Sequence, residues 1–233
     1  MRSASSTTGR RNSVGTTRDV ARAALECFTA GGFRLTQIAH VSERMGVSVG
    51  SIYRFVESKE ALFHIAALEA VDQLPDALPT PVSVAGSQDT VAAIGTLISR
   101  ERLWPVLRGA ISGAAPPDPK AEARAIAGEL YDAISARARL ILLLDRCAGD
   151  IPELAELFDR RIRHRLIDDL VTWVMRRALI PGSQRADCAA LARGAMEAIA
   201  WLAKTRLCDR TADAITEDQA REAAVRIFAN AFD

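Results

Sequence analysis

Lysine is scarce in this sequence: only Lys59, Lys120 and Lys204 occur, against 27 arginines. Aromatic residues make up 5% of the 233 residues. Aromatics favour strands, whereas arginine and the 42 alanines favour helices, so the composition excludes a sheet-dominated architecture and predicts an all-α protein. The four cysteines, Cys27, Cys147, Cys188 and Cys208, form neither a CxxC pair nor a zinc spacing. They fit reduced thiols in a cytoplasmic protein. No apolar run approaches the roughly 20 residues that cross a bilayer, and the N-terminus lacks the apolar stretch of a signal peptide, so neither secretion nor membrane insertion is expected. Catalytic signals are equally sparse. A Gly-rich phosphate loop, a nucleophile elbow and an HExxH motif are all missing. The i, i+4 pairs Glu60/His64 and His164/Asp168 lack a third ligand, so no metal, no cofactor and no enzymatic activity are expected.

Proline is absent before Pro75, and then Pro75, Pro79 and Pro81 follow closely. The stretch 75–88 reads as a helix break and linker. It divides a domain over residues 16–74 from a second over 75–233, with residues 1–15 a Ser/Thr/Gly-rich, flexible basic arm. The net charge of +1 argues against a general polyanion binder until it is split. Residues 1–59 hold nine basic and four acidic residues, a net +5, which leaves −4 for the other 174. A basic head on a mildly acidic body points to nucleic acid for the head alone.

Within the head, Thr16 and Asp19 predict a capping box opening a first helix, with Val20, Ala24, Leu25 and Phe28 on one face and Gly31-Gly32 at its end. Thr36 is placed to cap a short second helix through Ile38, Val41 and Met45; Ser48 caps a third reaching Val56; Ser58 caps a fourth with Leu62, Phe63 and Ala66 inward. Gly46, in the turn between the second and third, accommodates a left-handed backbone. Two short helices around such a turn have the form of a helix-turn-helix, whose second helix places its N-terminal residues at base edges in the major groove. That helix begins with the small residues Ser48, Gly50 and Ser51 and carries no acid to repel phosphate.

The landmarks Gly32-Phe33, Gly46-Val47-Ser48, Gly50-Ser51-Ile52-Tyr53, Ser58-Lys59-Glu60 and Leu62 resemble, in order and spacing, the DNA-binding domain of the TetR (tetracycline-repressor-like) transcriptional regulators over about residues 17–65. Val41, Ser42 and Val56 depart from that pattern at core positions. The resemblance implies that Ser48, Ser51, Tyr53 and Arg54 lie on or beside the groove face, with Tyr53 and Lys59 on phosphates. It also implies that Thr36 reaches the DNA backbone and that Val49, Gly50, Ser51 and Arg54 set base specificity, Arg54 pairing with guanine. Arg54 is equally compatible with a phosphate clamp or a solvated arginine, and Tyr53 with a core aromatic.

Downstream, periodicity predicts longer helices: one from Asp118-Pro119 with the stripe Ile126, Leu130, Ile134, Ala138 and Leu142, and one from Asp150 and Pro152 with Leu154, Phe158, Ile162, Leu166, Leu170 and Val174. Two more cover about 184–207 and, from the capping box Thr216/Gln219, the C-terminus. By analogy with the TetR family this part holds a ligand pocket and a homodimer interface. Pocket candidates are Trp104, Leu107, Arg108, Tyr131, Leu142, Asp145, Phe158, His164, Trp173 and Met175. Interface candidates are Leu191, Ala195, Ile199, Leu202, Ala224, Ile227 and Phe228, although an intramolecular core stripe would look the same. Arg160, Arg161, Arg163 and Arg165 around His164 read as a solvated face paired with Asp159, Asp168 and Asp169, or as a seat for an acidic ligand. The expected protein is thus an all-α, homodimeric, cytoplasmic transcriptional regulator, most simply a repressor on a near-palindromic operator, released by a small-molecule inducer. A non-DNA interaction or ligand-sensing module on the same scaffold, and a helical small-molecule enzyme, are the competing readings.

Overall fold

The computed structural model describes residues 15–100, 103–180, 182 and 184–232, so the expected arm lies outside the described residues except for Gly15. Among the described residues there are helices but no strand, only an isolated bridge between Val56 and Val82. Helix α1 (Thr17–Leu35) opens on the expected capping box: the Asp19 amide donates to Thr16 Oγ1, and the Thr16 amide donates to the Asp19 carboxylate at 2.7 Å. Gly32 breaks its winding at φ 78, ψ 171 without ending it, and three more residues complete the element. A Cβ at Gly32 would lie 3.3 Å from the Arg146 carbonyl, so both backbone and neighbour call for glycine.

Helix α2 (Ile38–Met45) ends on Gly46 in the left-handed region at φ 65, ψ 32. Helix α3 (Val49–Ile52), capped by Ser48, is shorter than the run predicted to Val56. After Ile52 the chain turns, with the amides of Phe55 and Val56 both donating to the Ile52 carbonyl. The linker folds back here: Val82 N–H donates to the Phe55 carbonyl at 2.7 Å, and Glu57 N–H donates to the Val82 carbonyl at 3.0 Å. Ser58 caps α4 (Lys59–Glu69), which buries Leu62, Phe63 and Ala66 against α1.

Helices α5 (Ser87–Arg100), α6 (Pro105–Ser112) and α7 (Pro119–Ser135) follow, the last capped by Asp118. The stripe expected on one helix is split between two, because the chain breaks at 136–137 and α8 (Ala138–Cys147) turns inward Leu140, Leu143 and Leu144 instead of Leu142. Asp150 does not start the next helix either; Ile151 precedes α9 (Pro152–Ala155), and the Asp150 carboxylate accepts the Arg34 amide at 2.8 Å. From α9 the chain runs through a π-helical stretch, Glu156–His164, into α10 (Arg165–Arg177). A stripe repeating every four residues outruns an α-helix by about 40° per repeat. The wider π turns compensate for that drift, keeping Leu154, Phe158, Leu166, Leu170 and Val174 buried. Helices α11 (Arg185–Ala203) and α12 (Glu217–Asn230), the latter opened by the Thr216/Gln219 capping box, complete the chain.

Two hydrophobic clusters result. The first joins α1, α4 and Ile94 of α5 to Leu140, Leu143, Leu144 and Cys147 of α8 and to Leu154 and Phe158 beyond it. The second gathers α6, α7, α10, α11 and α12 around Trp173, Tyr131 and Phe228. Packing therefore divides the chain differently from its prolines: α8 and α9 lie beyond the linker but close the core of the head. Each fully buried Phe or Leu contributes about 1.5–3 kcal/mol over an exposed one.

Candidate nucleic-acid interface and ligand cavity

The head's positive charge is largely neutralised inside the molecule. Arg18 and Arg22 both bind the buried Glu69 carboxylate, at 3.2 and 2.9 Å, and Arg18 also reaches Asp76 at 2.9 Å. Arg34 faces Asp150 at 3.8 Å, and Arg44 pairs with Glu26. Glu69, Asp76 and Asp150 all come from the acidic remainder, so part of the +5/−4 asymmetry marks a contact between the two parts. Among the described residues of the head, Arg54 and Lys59 are the cations without a carboxylate partner. Both belong to the helix-turn-helix or its exit.

The turn and its caps position the rest. Val41, Ile52 and Val56 are fully buried beneath the two short helices, fixing α3 against α1 and α4. Ser48 Oγ accepts the Ser51 amide at 3.2 Å and shares a 2.9 Å hydrogen bond with Ser51 Oγ. Ser48, Val49, Gly50, Tyr53 and Arg54 are exposed, and Ser51 is half-buried between them. Tyr53 is therefore a surface residue with a free hydroxyl edge and not a core aromatic. No carboxylate intervenes between Glu43 and Glu57. Lys59 projects its ammonium over the Phe33 ring, 4.6 Å from the centroid, and donates to the Arg34 carbonyl at 3.1 Å, which secures it against the end of α1.

Thr36 departs from expectation. It is buried and its hydroxyl donates to the Cys27 carbonyl at 3.1 Å, closing the end of α1, while Gln37 occupies the N-cap of α2. The Gln37-x-x-His40 box serves as the cap that Thr36 was expected to provide: the Gln37 amide donates to His40 Nδ1 at 3.2 Å.

The pocket candidates scatter. An inner cavity of about 150 Å³ is lined by Trp104, Asp145 and Phe158 together with Leu130, Leu144 and Leu166. An open groove of about 1140 Å³ between α5, the start of α6 and α9–α10 takes in Trp104 and Arg108. The other six lie elsewhere. Leu107 and Trp173 are core residues, the Trp173 indole donating to Glu122 at 2.9 Å. Tyr131 is buried, and its hydroxyl donates to the Glu217 carboxylate at 2.9 Å; burial and that bond push its pKa up. Leu142 lines neither space. His164 is exposed beside Asp168 at 3.8 Å, and Met175 is exposed. Helical periodicity shows which face is apolar, not whether that face meets a neighbour or a void.

Most interface candidates are equally displaced. Ala195, Ile199, Leu202, Ala224 and Phe228 are buried inside the protomer, in the second core. Leu191 is half-buried, and Ile227 stands exposed at 47%. The apolar residues that α11, its following turn and α12 do expose are Trp201, Leu207 and Ile227. An exposed tryptophan amid alanines was the signal overlooked for Trp201. Of the i, i+4 pairs, His64 uses Nδ1 on the Thr90 hydroxyl at 3.1 Å, and among the described residues no group of three or more His, Cys, Asp or Glu is arranged to hold a metal. Among them, too, no helix is long and apolar enough to cross a membrane.

Comparison with known proteins bears on the head. The family model for bacterial regulatory proteins of the tetR family matches residues 16–66. No curated protein matches the chain. Among solved structures, a protein from Mesorhizobium loti MAFF303099 described as a TetR-family transcriptional regulator is 16% identical, with a TM-score of 0.46 over 93% of this chain and 94% of that one. A transcriptional regulator from Rhodococcus sp. Rha1 is 18% identical, with a TM-score of 0.45 over 93% and 95%. Residues 16–66, which fold as capped helices around the Gly46 turn, are thus similar to the tetR family of bacterial regulatory proteins, and it is this head that the likeness covers.

Proposed function

We propose that the protein is a homodimeric, cytoplasmic repressor whose two heads read half-sites of a near-palindromic operator, and which a small molecule bound in the helical body releases. The observation that carries the reading is that exposed Tyr53 is followed by Arg54 and Lys59, the cations of the head without a carboxylate partner among the described residues. Tyr53 and Lys59 contact phosphates, while Ser48, Val49, Gly50, Ser51 and Arg54 face base edges. Thr36 takes no part. A second copy docks on the exposed side of α11 and α12 through Trp201 and Ile227, where Gly194 and Ala198 permit close approach. Release passes from the groove, walled by Val91 and Gly95 of α5, to α4 through the α4–α5 contact and the His64–Thr90 bond. The ligand must favour the conformation that does not fit DNA, since equal affinity for both would shift nothing.

Footprinting and gel shifts on the DNA upstream of the gene test this. Tyr53→Ala and Lys59→Ala weaken binding at every sequence, and Lys59→Ala also flattens its salt dependence, whereas Ser51→Ala and Arg54→Ala change sequence preference. An operator complex untouched by Tyr53→Ala would refute the contact model. No shift even at low salt would favour the non-DNA module.

A further inference from the structure

The arginine cluster at 160–165 divides in the folded chain. Arg160 pairs with Glu156 at 3.3 Å, and Arg163 with Asp145 at 3.1 Å. Arg161 and Arg165 have no carboxylate partner among the described residues, and both line the open groove. Arg108 joins them there, held only loosely to Asp169 at 3.9 Å. The groove's own acids, Glu153 and Glu156, stand five to twelve residues earlier on the same helical run. Glu156 is moreover occupied by Arg160. Positive charge therefore collects toward the α10 end of the groove.

Ile162, between those two arginines in sequence, is shared with Leu103 and Trp104 as a common wall of the groove and the inner cavity. The cavity is apolar inside, with Leu144 and Phe158 among its walls. Both of its carboxylates are taken: Lys204 and Arg163 hold Asp145 at 2.6 and 3.1 Å, and Arg193 holds Glu197 at 2.7 Å. Arg161 and Arg165 line the groove and not the cavity, and the groove's own apolar wall is Val91, Leu103, Trp104, Leu157 and Ile162. Guanidinium binds carboxylate through two parallel hydrogen bonds, which a hydroxyl cannot reproduce.

We infer that the groove takes an amphipathic organic acid, with its apolar body against Val91, Leu103, Trp104, Leu157 and Ile162 and its carboxylate on Arg161 and Arg165. This names the ligand class for the repressor proposed above, and depends on that reading only for its consequence at the operator. Binding is measured without DNA, by calorimetric titration of the full-length protein with a series of ω-phenylalkanoates of two to eight methylenes. The matching alcohols and amines serve as controls. The carboxylates bind at least tenfold more tightly than the alcohols, and the amines more weakly still. The surface double variant R161Q/R165Q brings the carboxylates down to the alcohols' affinity, while R160Q leaves them unchanged. The inference is overturned if no carboxylate binds, if alcohols or amines bind as well, or if R161Q/R165Q behaves as R160Q does. Gel shifts with the best-binding acid then test the repressor reading separately.

Discussion

Phe28, Phe33 and Phe63 in the first core and Trp173, Phe228 and Phe232 in the second form aromatic triads of the same design. Each has one stacked pair, at 5.9 and 6.0 Å between centroids, and two edge contacts. They are anchored differently. The first is bounded by a half-buried cation, Lys59 over Phe33, and by arginines half in water around Glu69. The second is tied to a buried one: Arg177, 5% exposed, meets Glu122, which also accepts the Trp173 indole. Around the first triad charge stays at the surface, where a ligand can use it, and around the second it is consumed in holding helices together.

The largest effects separate the two cores outright. Phe63→Ala and Phe228→Ala each cost about 3–5 kcal/mol in denaturant unfolding. Phe228→Ala leaves hydrogen-exchange protection in α1 and α4 intact; loss of protection there would show that the two cores unfold as one.

Next come the carboxylates. Glu122→Ala leaves Arg177 charged and buried and costs about 3 kcal/mol, whereas Glu69→Ala frees Arg18 and Arg22, 31% and 59% exposed, to rehydrate at about 1 kcal/mol. The Arg177 hydrogen bonds hold the Glu122 carboxyl below its ordinary 4.5. The pair's stabilisation is therefore complete above about pH 4.5 and is lost as pH falls through the lower folded value, a dependence that Glu122→Gln removes.

Two glycines sharpen the contrast between junction and turn. Gly32→Ala costs about 1–3 kcal/mol, since its φ, ψ suits glycine alone and Arg146 and Asp150 crowd it. Gly46→Ala costs about 1 kcal/mol, because its left-handed turn has open space around it. The smallest effect belongs to His64. Burial holds its pKa below 6.5 against the pull of Asp89, so stability is full above about pH 6.5 and declines as pH falls toward the lower folded value. His64→Gln abolishes that slope, as thermal unfolding across pH 5–7 reads.

Much of the head was legible in the sequence because its signals are local. The Thr16/Asp19 box, the Gly46 turn and the Ser48 and Ser58 caps act within four residues of their targets, so their spacing carries their geometry. Thr36 shows the limit. A threonine before a helix reads as a cap, but its hydroxyl found the Cys27 carbonyl nine residues back. In the body, the stripes of α11 and α12 mark apolar faces correctly, yet Ala195, Ile199 and Phe228 meet their own chain and leave Trp201 and Ile227 outside. The charge split pointed to nucleic acid, and four of its arginines proved to be paired within the protein.

The sequence alone determined the helical class and the two short capped helices around Gly46, because propensity, capping and turn conformation depend on neighbours along the chain. Tertiary structure alone decided that α8 and α9 close the core of the head. It also decided which arginines remain uncompensated and where apolar faces leave a cavity instead of a contact. Those depend on residues from Asp150 to Arg34, or Glu122 to Arg177, meeting across distances in sequence that no local pattern encodes.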